Sequence, residues 1–358
     1  MEVDELGEAG EYDYELPAER IAQEPLADRS AARLLVVSRA DGGLTHRHVR
    51  DLPDILEPGD LLVVNDTRVV PARLVGRRAR TGGAWEGLYL RTEADGPHAG
   101  AWVMLARTRG SPAVGERIVL DPLPGGDGFG LVLVARGAGG AWLARPDVEV
   151  PVEEALARVG RVPLPGYVRG GVAHAADVER YQTVFARAAG SAAAPTAGLH
   201  FTEDLLERLA ERGVARATVT LHVGLDTFRP ITSSRIDEHP MHTEWCRCPP
   251  ETAAAIAETR RRGGRVVAVG TTTVRTLETA ARHGVVASWE GSTDLFIRPG
   301  FRFRAVDALV TNFHLPRTTL LVLVSTFASR SIIRRAYDEA IRERYRFLSY
   351  GDAMLLVP

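Results

Sequence analysis

Apolar residues along this chain fall into two textures. Between about Pro71 and Val150 they come in short runs parted by Gly, Pro and Asp turns: "PARLVGRRAR", "AWEGLYLRT", "AWVMLART", "ERIVLD", "GFGLVLVAR" and "AWLARPDVEV". Six runs of this kind, with no helical period among them, predict short strands closing a small barrel or sandwich. On either side the texture changes. "RLLVVSR" (33–39) reads as a strand, and a turn at Pro58-Gly59 leads into a buried strand from Leu61 to Val64. Beyond Pro151 strand and helix patterns alternate. "VEEALARVG" reads as a short helix, and "TEDLLERLAERG" puts Leu205, Leu206 and Leu209 on one face and ends at Gly213. "ARATVTLHVG", "RVVAVG" and "VDALVTNFH" read as strands. "PPETAAAIAETRRRGG", "TTVRTLETAARHG", "TTLLVLVSTFAS" and "RRAYDEAIRERY" read as helices. The first residues, to about Tyr12, read as a frayed tail.

Alternation of strand and helix argues for layers of helices on a mostly parallel sheet. The fold class is therefore α/β: one layered α/β/α domain, residues 1–70 plus 151–358, interrupted by an inserted six-stranded antiparallel β-barrel, residues 71–150.

Composition narrows this picture only a little. The 358 residues are 45% hydrophobic and 25% charged, enough to bury a large core. Two cysteines, Cys246 and Cys248, exclude a disulfide framework. No signal peptide and no apolar run of about 20 residues is present, so a cytoplasmic protein without a membrane partner is expected. The net charge of −2 does not advertise a nucleic-acid partner, although a local basic face would suffice for one.

Candidate chemistry gathers where strands are expected to end, which is where open α/β sheets bind ligands. One strand end carries Asn65, Asp66, Thr67 and Arg68; a second carries His222, Gly224 and Asp226. A third carries Gly270 and Thr271, Thr272 and Thr273, with Arg275 in the first turn of the following helix, and a fourth carries Thr311, Asn312 and His314. The small-residue stretch "GSAAAPTAGLHF" adds Pro195, Thr196, Gly198 and His200, and its small side chains admit a ligand close to backbone. The three threonines either cap their helix or bind a carboxylate or phosphate with it. Asp66 and Arg68 either pair with one another or line a site. His200, His222 and His314 stand out among ten histidines because small polar residues surround each. "HPMHTEWCRC" holds His239, His242, Cys246 and Cys248, but the spacing is not that of a zinc site and Cys-x-Cys is cramped. "YRFLSYGDAM", with Asp352, either stacks a base or closes the core.

At this point the residues are familiar. "PGDLLVVNDTRVVPARL", "GSAAAPTAGLHF", "VTLHVG", "MHTE", "VAVGTTTVRTLE", "FIRPGF", "VDALVTNFHLPRTTLLVLVSTFA" and "YRFLSYGDAMLL" resemble the S-adenosylmethionine:tRNA ribosyltransferase-isomerase family of queuosine biosynthesis, collinearly from about Tyr14 to the C-terminus. The resemblance implies an α/β domain with an inserted six-stranded barrel. It implies transfer of the ribosyl part of S-adenosylmethionine, a co-substrate, to 7-aminomethyl-7-deazaguanine in tRNA, with rearrangement to an epoxycyclopentane and loss of adenine and methionine. No metal or nicotinamide is implied, and a monomer is expected.

Set against this chemistry, His200, His222 and His314 are assigned to proton transfer, with acid and base not distinguished. The Thr271–Thr273 helix start with Arg275 suits the methionine carboxylate. Asn65, Asp66, Arg68, Pro195, Thr196, Gly198, Gly224, Asn312 and Asp352 complete the expected binding set. Arg73, Arg77, Arg78, Arg80, Arg107 and Arg109 are candidate tRNA phosphate contacts. The sequence departs from the family pattern at Phe185 (usually Tyr), at Asp226 (usually Gly) and at Cys246 and Cys248. Near "LARTRGSP" it has Arg107 and Arg109 where a lysine is usual. Two alternatives use the same residues: ribosyl transfer to a small deazapurine or amine acceptor, and a non-catalytic RNA- or nucleotide-binding relative.

Overall fold

In the computed structural model, residues 7–224 and 230–358 are described. Asp226 lies outside them. The chain divides into two compact units. One takes in the chain through Arg68, Pro165–Gly170 and Glu179–Pro358; the other is Val69–Leu164 with Gly171–Val178.

The first unit is built on a nine-stranded sheet. Its order is Trp289–Thr293, Glu244–Cys248, Ala215–Leu221, Leu61–Asn65, Val266–Val269, Ala308–Asn312, Ala353–Val357, Arg33–Ser38 and Leu44–His48. The strands Ala215–Leu221, Leu61–Asn65, Val266–Val269 and Ala308–Asn312 run parallel, so their carboxyl ends share one edge. Outside them the sheet turns antiparallel on both flanks, and the expected mostly parallel sheet is a mixed one. The flank strands carry sequences such as "LTHRH" and "WEGST", too polar to read as strands.

Each central strand is apolar on both sides because helices cover both faces. Leu61 and Val63 pack with Ile256, Val274, Leu277 and Val322, from the helices Pro250–Arg261, Thr271–Ala280 and Thr319–Ala328. Leu62 and Val64 pack on the other face with Leu205, Leu206 and Leu209 of the helix Glu203–Glu211. That helix is capped by the Thr202 hydroxyl, which accepts from the Leu205 N–H at 3.2 Å. The layering is α/β/α.

From Gly7 on, the stretch read as a frayed tail is ordered against the core. Ala9 and Tyr12 are buried in the larger core, because a short 3₁₀ turn, Ala9–Tyr12, tucks them in. Tyr345, Phe347 and Tyr350 are buried as well, so the C-terminal aromatic stretch closes the core.

The second unit is a closed antiparallel barrel of Arg73–Arg78, Ala84–Thr92, Trp102–Thr108, Trp142–Pro146, Gly130–Arg136 and Arg117–Leu120, the six runs read from sequence. Arg73–Arg78 pairs back onto Arg117–Leu120 to close the ring. Gly76 sits at the closure, where a Cβ would stand 2.3 Å from the Val119 carbonyl oxygen. Trp85, Trp102, Trp142 and Leu133 fill the interior. Ala155, Leu156 and Val159 of the helix Val152–Val159 pack into the same core. That helix therefore belongs with the barrel, whereas the sequence reading placed residues beyond 150 with the sheet. Among the described residues no helix is long and apolar enough to cross a membrane.

Candidate active site

The carboxyl ends of the four parallel strands open into a cleft. One lobe, of about 370 Å³, is lined by Ala194, Pro195, Thr196, Gly270, Thr271, Thr272, Thr311, Asn312 and His314 among others. A second lobe, of about 280 Å³, shares Thr196, Asn312, His314 and Leu320 and adds Tyr167, Leu348 and Ser349. Their lining mixes apolar side chains with a few convergent polar groups, as small-molecule sites do.

The strand Val266–Val269 delivers Gly270, whose φ of +89° is open to glycine and strained for other residues. That turn starts the helix Thr271–Ala280 with no side-chain cap. Gly270, Thr271 and Thr272 line the cleft, so the start of the helix, the positive end of its dipole, borders it. Thr271 lines the cleft, is buried, and makes no side-chain hydrogen bond among the described residues. Thr272 and Thr273 are occupied: the Thr272 hydroxyl accepts from Asn65 Nδ2 at 3.2 Å, and the Thr273 hydroxyl donates to the Val269 carbonyl at 2.7 Å.

His314 is buried in the cleft wall, and burial pushes its pKa down to about 3. Its ring is neutral at physiological pH. Nε2 meets the Thr311 hydroxyl at 2.8 Å. The backbone is fixed from behind, with the His314 N–H donating to the Tyr337 hydroxyl at 2.9 Å and the Tyr14 hydroxyl donating to the His314 carbonyl. Opposite it, Thr196 donates to Asn312 Oδ1 at 2.8 Å, and Asn312 Nδ2 donates to the Leu348 carbonyl at 3.1 Å.

His222 follows the strand Ala215–Leu221 and lies beside the cleft residue Val223. Its ring stacks on Trp245, with centroids 5.0 Å and planes 18° apart, and Nδ1 meets the Thr67 hydroxyl at 2.8 Å. Gly190, having no side chain, leaves room at the other nitrogen, since a Cβ there would lie 2.8 Å from Nε2. Burial lowers the His222 pKa and the Asp66 carboxylate partly restores it.

Several expected binding residues are instead spent on the frame. Asn65 uses both amide hydrogens and both oxygen lone pairs, bonding to Leu221, Thr272 and Thr67. Asp66 does not pair with Arg68, which is exposed; it accepts from Arg187 at 2.8 Å and Thr220 at 2.6 Å. Arg275 is buried against Glu244, whose other oxygen accepts from the Gly224 N–H at 2.9 Å. Asp352 accepts from the backbone of Arg33 at 2.9 Å and Arg346 at 2.8 Å. Gly198 makes room for Phe185, whose ring would lie 2.7 Å from a Cβ. His200 sits in the turn Thr196–His200 with both ring nitrogens on carbonyls, Ala197 at 3.1 Å and Gly351 at 2.9 Å.

The cleft thus gathers Pro195, Thr196, Thr271, Thr272, Asn312 and His314; His222 stands next to it in the chain, beside Val223, and His200, Arg275 and Asp352 do not line it. Sequence reasoning missed Tyr14, Tyr337, Trp245 and Glu244. Only Glu244 left a trace, in "MHTE", and nothing in the spacing ties it to Arg275. Among the described residues no group of three or more His, Cys, Asp or Glu is placed to hold a metal. Cys246 and Cys248 are buried in packed core, which pushes the Cys248 thiol up to about 12.

In the barrel, two of the six candidate arginines are engaged. Arg78 is buried against Glu116, and Arg73 bonds Glu86 at 2.6 Å. Arg77, Arg80, Arg107 and Arg109 are exposed.

The family described as "Queuosine biosynthesis protein" matches residues 9–356. A Symbiobacterium thermophilum protein named S-adenosylmethionine:tRNA ribosyltransferase-isomerase is 52% identical over 351 residues, 97% of this chain and 99% of its own length. A Geobacter sulfurreducens protein of the same name is 51% identical over 347 residues, 97% of this chain and 98% of its own length. The crystal structure of S-adenosylmethionine tRNA ribosyltransferase from Thermotoga maritima is 40% identical and superposes with a TM-score of 0.55, covering 97% of this chain and 100% of that one.

Proposed function

Since the chain belongs to the queuosine-biosynthesis family of S-adenosylmethionine:tRNA ribosyltransferase-isomerases, we propose that the cleft at its parallel strand ends is where that reaction is carried out. The protein transfers and isomerises the ribosyl moiety of S-adenosylmethionine onto 7-aminomethyl-7-deazaguanine in tRNA, giving epoxyqueuosine-tRNA and releasing adenine and methionine. The observation that carries the assignment is one cleft holding both a neutral imidazole, His314, and an uncapped helix start at Gly270.

The sulfonium of S-adenosylmethionine acidifies the neighbouring 5′ carbon, and a base must take that proton. His314, in the cleft wall with its ring fixed by Thr311, takes it. The methionine carboxylate sits on the N–H groups that open the helix Thr271–Ala280, with the Thr271 hydroxyl as a further donor. His222, held between Trp245 and Gly190, is the second proton carrier and serves the departing adenine. Asn65, Asp66, Arg275, Asp352 and His200 are positioning residues that hold the strand ends and loops in register. Arg77, Arg80, Arg107 and Arg109 offer exposed cations to the tRNA backbone.

The test incubates the protein with S-adenosylmethionine and either tRNA bearing the precursor base or the free base. Adenine and methionine release that requires the tRNA is the expected result. Release with the free base alone would transfer the function to a small-molecule acceptor, and no release in either tube would reject it.

A further inference from the structure

Resting on the reading of the cleft as the site of reaction with tRNA, we infer that Arg317 is an anion-binding residue that holds a phosphate of the RNA substrate. Arg317 lies between the strand Ala308–Asn312 and the helix Thr319–Ala328, and its chain neighbours Leu315 and Thr318 line the second lobe of the cleft.

Two costs meet in this residue. Its backbone is left-handed, with φ at +55°, a region that favours glycine or asparagine. Arg344 is also left-handed, but it follows the helix Arg330–Arg342, where that conformation is ordinary end geometry. Arg317 precedes its helix. The conformation is held by the fold: the Arg317 N–H donates to the Tyr12 carbonyl at 2.9 Å, and the Ile231 N–H donates to its carbonyl at 2.6 Å. The second cost is in the side chain. Arg317 is half-buried, its Nε is fully enclosed, and its guanidinium has no hydrogen-bond or carboxylate partner among the described residues. Other arginines that the first unit encloses are paired, Arg265 with Asp60 at 2.6 Å and Arg275 with Glu244.

A fork of donors without a partner, on a strained backbone beside a ligand cleft, is a binding group waiting for an anion. The methionine carboxylate already has the helix start at Gly270, on the other lobe. The remaining anion of the reaction is the RNA backbone, and a half-exposed guanidinium matches phosphate better than it matches any neutral part of the substrates. Leu348, on the same lobe, is also left-handed, at φ +69°, and its carbonyl is tied to Asn312. Strain is therefore concentrated at this edge of the cleft.

The backbone supplies a clean test, because Arg317→Gly and Arg317→Asn fit the left-handed conformation better than arginine does. Both variants should melt at or above the wild-type temperature. Both should weaken tRNA binding about tenfold at moderate salt. The slope of log affinity against log salt should flatten by roughly 0.7–0.9, one phosphate contact. KM for S-adenosylmethionine should stay within twofold, and Arg317→Lys should recover part of the affinity. Unchanged tRNA affinity and salt slope in the glycine variant would overturn the inference, and so would a rise confined to the S-adenosylmethionine KM. Failure of the wild-type protein itself to bind or turn over tRNA would instead count against the proposed function, which keeps the two outcomes apart.

Discussion

Arg78 in the barrel and Arg317 beside the strand-end cleft are both arginines drawn out of water, and the two regions treat them in opposite ways. Arg78 Nε and Nη2 reach the two oxygens of Glu116 at 2.6 and 2.8 Å, and Nη1 donates to the Arg109 carbonyl at 3.0 Å. The barrel thereby closes its buried charge on itself. At the cleft, among the described residues, the Arg317 guanidinium and the Thr271 hydroxyl have no partner, and His314 is kept neutral in a wall it shares with two open lobes. Folding alone selects for satisfied polar groups. Where a region leaves several open together, the missing partner is a ligand, and the contrast with the barrel separates groups kept for stability from groups kept for chemistry.

The largest expected effect tests that separation inside the α/β unit. His314→Gln should lower adenine release by at least ~10²-fold, the usual worth of a proton-transfer group, while the melting temperature holds or rises. His200→Gln should do the reverse. It strips the links to the Ala197 and Gly351 carbonyls, so the melting temperature falls while turnover per folded molecule stays within a few-fold. Equal loss of turnover in both variants, at unchanged melting temperature, would erase the distinction between a cleft histidine and a frame histidine.

Acid should separate the two regions next. His314 has its pKa depressed from 6.5 to about 3 in the folded state. The unfolded chain therefore binds the extra proton first, and stability falls as pH drops below 6.5, by roughly 1.4 kcal/mol per pH unit until the folded pKa is reached. Burial lowers the His222 pKa too, which adds a smaller loss of the same sign. Glu116 in the barrel is depressed from 4.5 to about 2 by Arg78, so its contribution is intact above pH 4.5 and is lost only below it. Urea melts followed from pH 7 to 4 should show the α/β unit weakening first, and His314→Gln should flatten that slope. A slope that the variant leaves unchanged would mean that His314 is not the neutral buried group described here.

The barrel was the easier region to read. Each of its six strands is a short apolar run with turn residues at both ends, so the strands were legible one by one, although closure pairs Arg73–Arg78 with the distant Arg117–Leu120. The four parallel strand ends were also legible, because residues buried on both faces read as continuous apolar stretches and the polar residue that follows stands out. What the sequence hid was which polar residues face each other across the cleft. Arg275 and Asp352 had the right chemistry, but their partners Glu244 and Arg33 lie far away in the chain, and pairing over that distance is decided by packing. His200 looked catalytic for the same reason, since its carbonyl partner on Gly351 becomes visible only when the fold brings the two together.

The smallest expected effect is the sharpest version of the comparison, because it sets two hydroxyls of one helix start against each other. Thr273 is spent on the Val269 carbonyl at 2.7 Å, and Thr271 is open to the cleft. Valine keeps the shape of threonine and removes the hydroxyl, so packing changes little in either variant. Thr273→Val should leave the buried carbonyl short of one bond and lower the melting temperature, with KM for S-adenosylmethionine unchanged. Thr271→Val removes nothing that the free protein uses, so its melting temperature should hold. Its KM for S-adenosylmethionine should rise roughly twofold to twelvefold, the net worth of one typical hydrogen bond at about 0.5–1.5 kcal/mol, with kcat nearly constant because the carboxylate is held alike in ground and transition states. If the two variants gave the same KM, the open hydroxyl would be no part of the carboxylate site, and the helix start would bind through its backbone N–H groups alone.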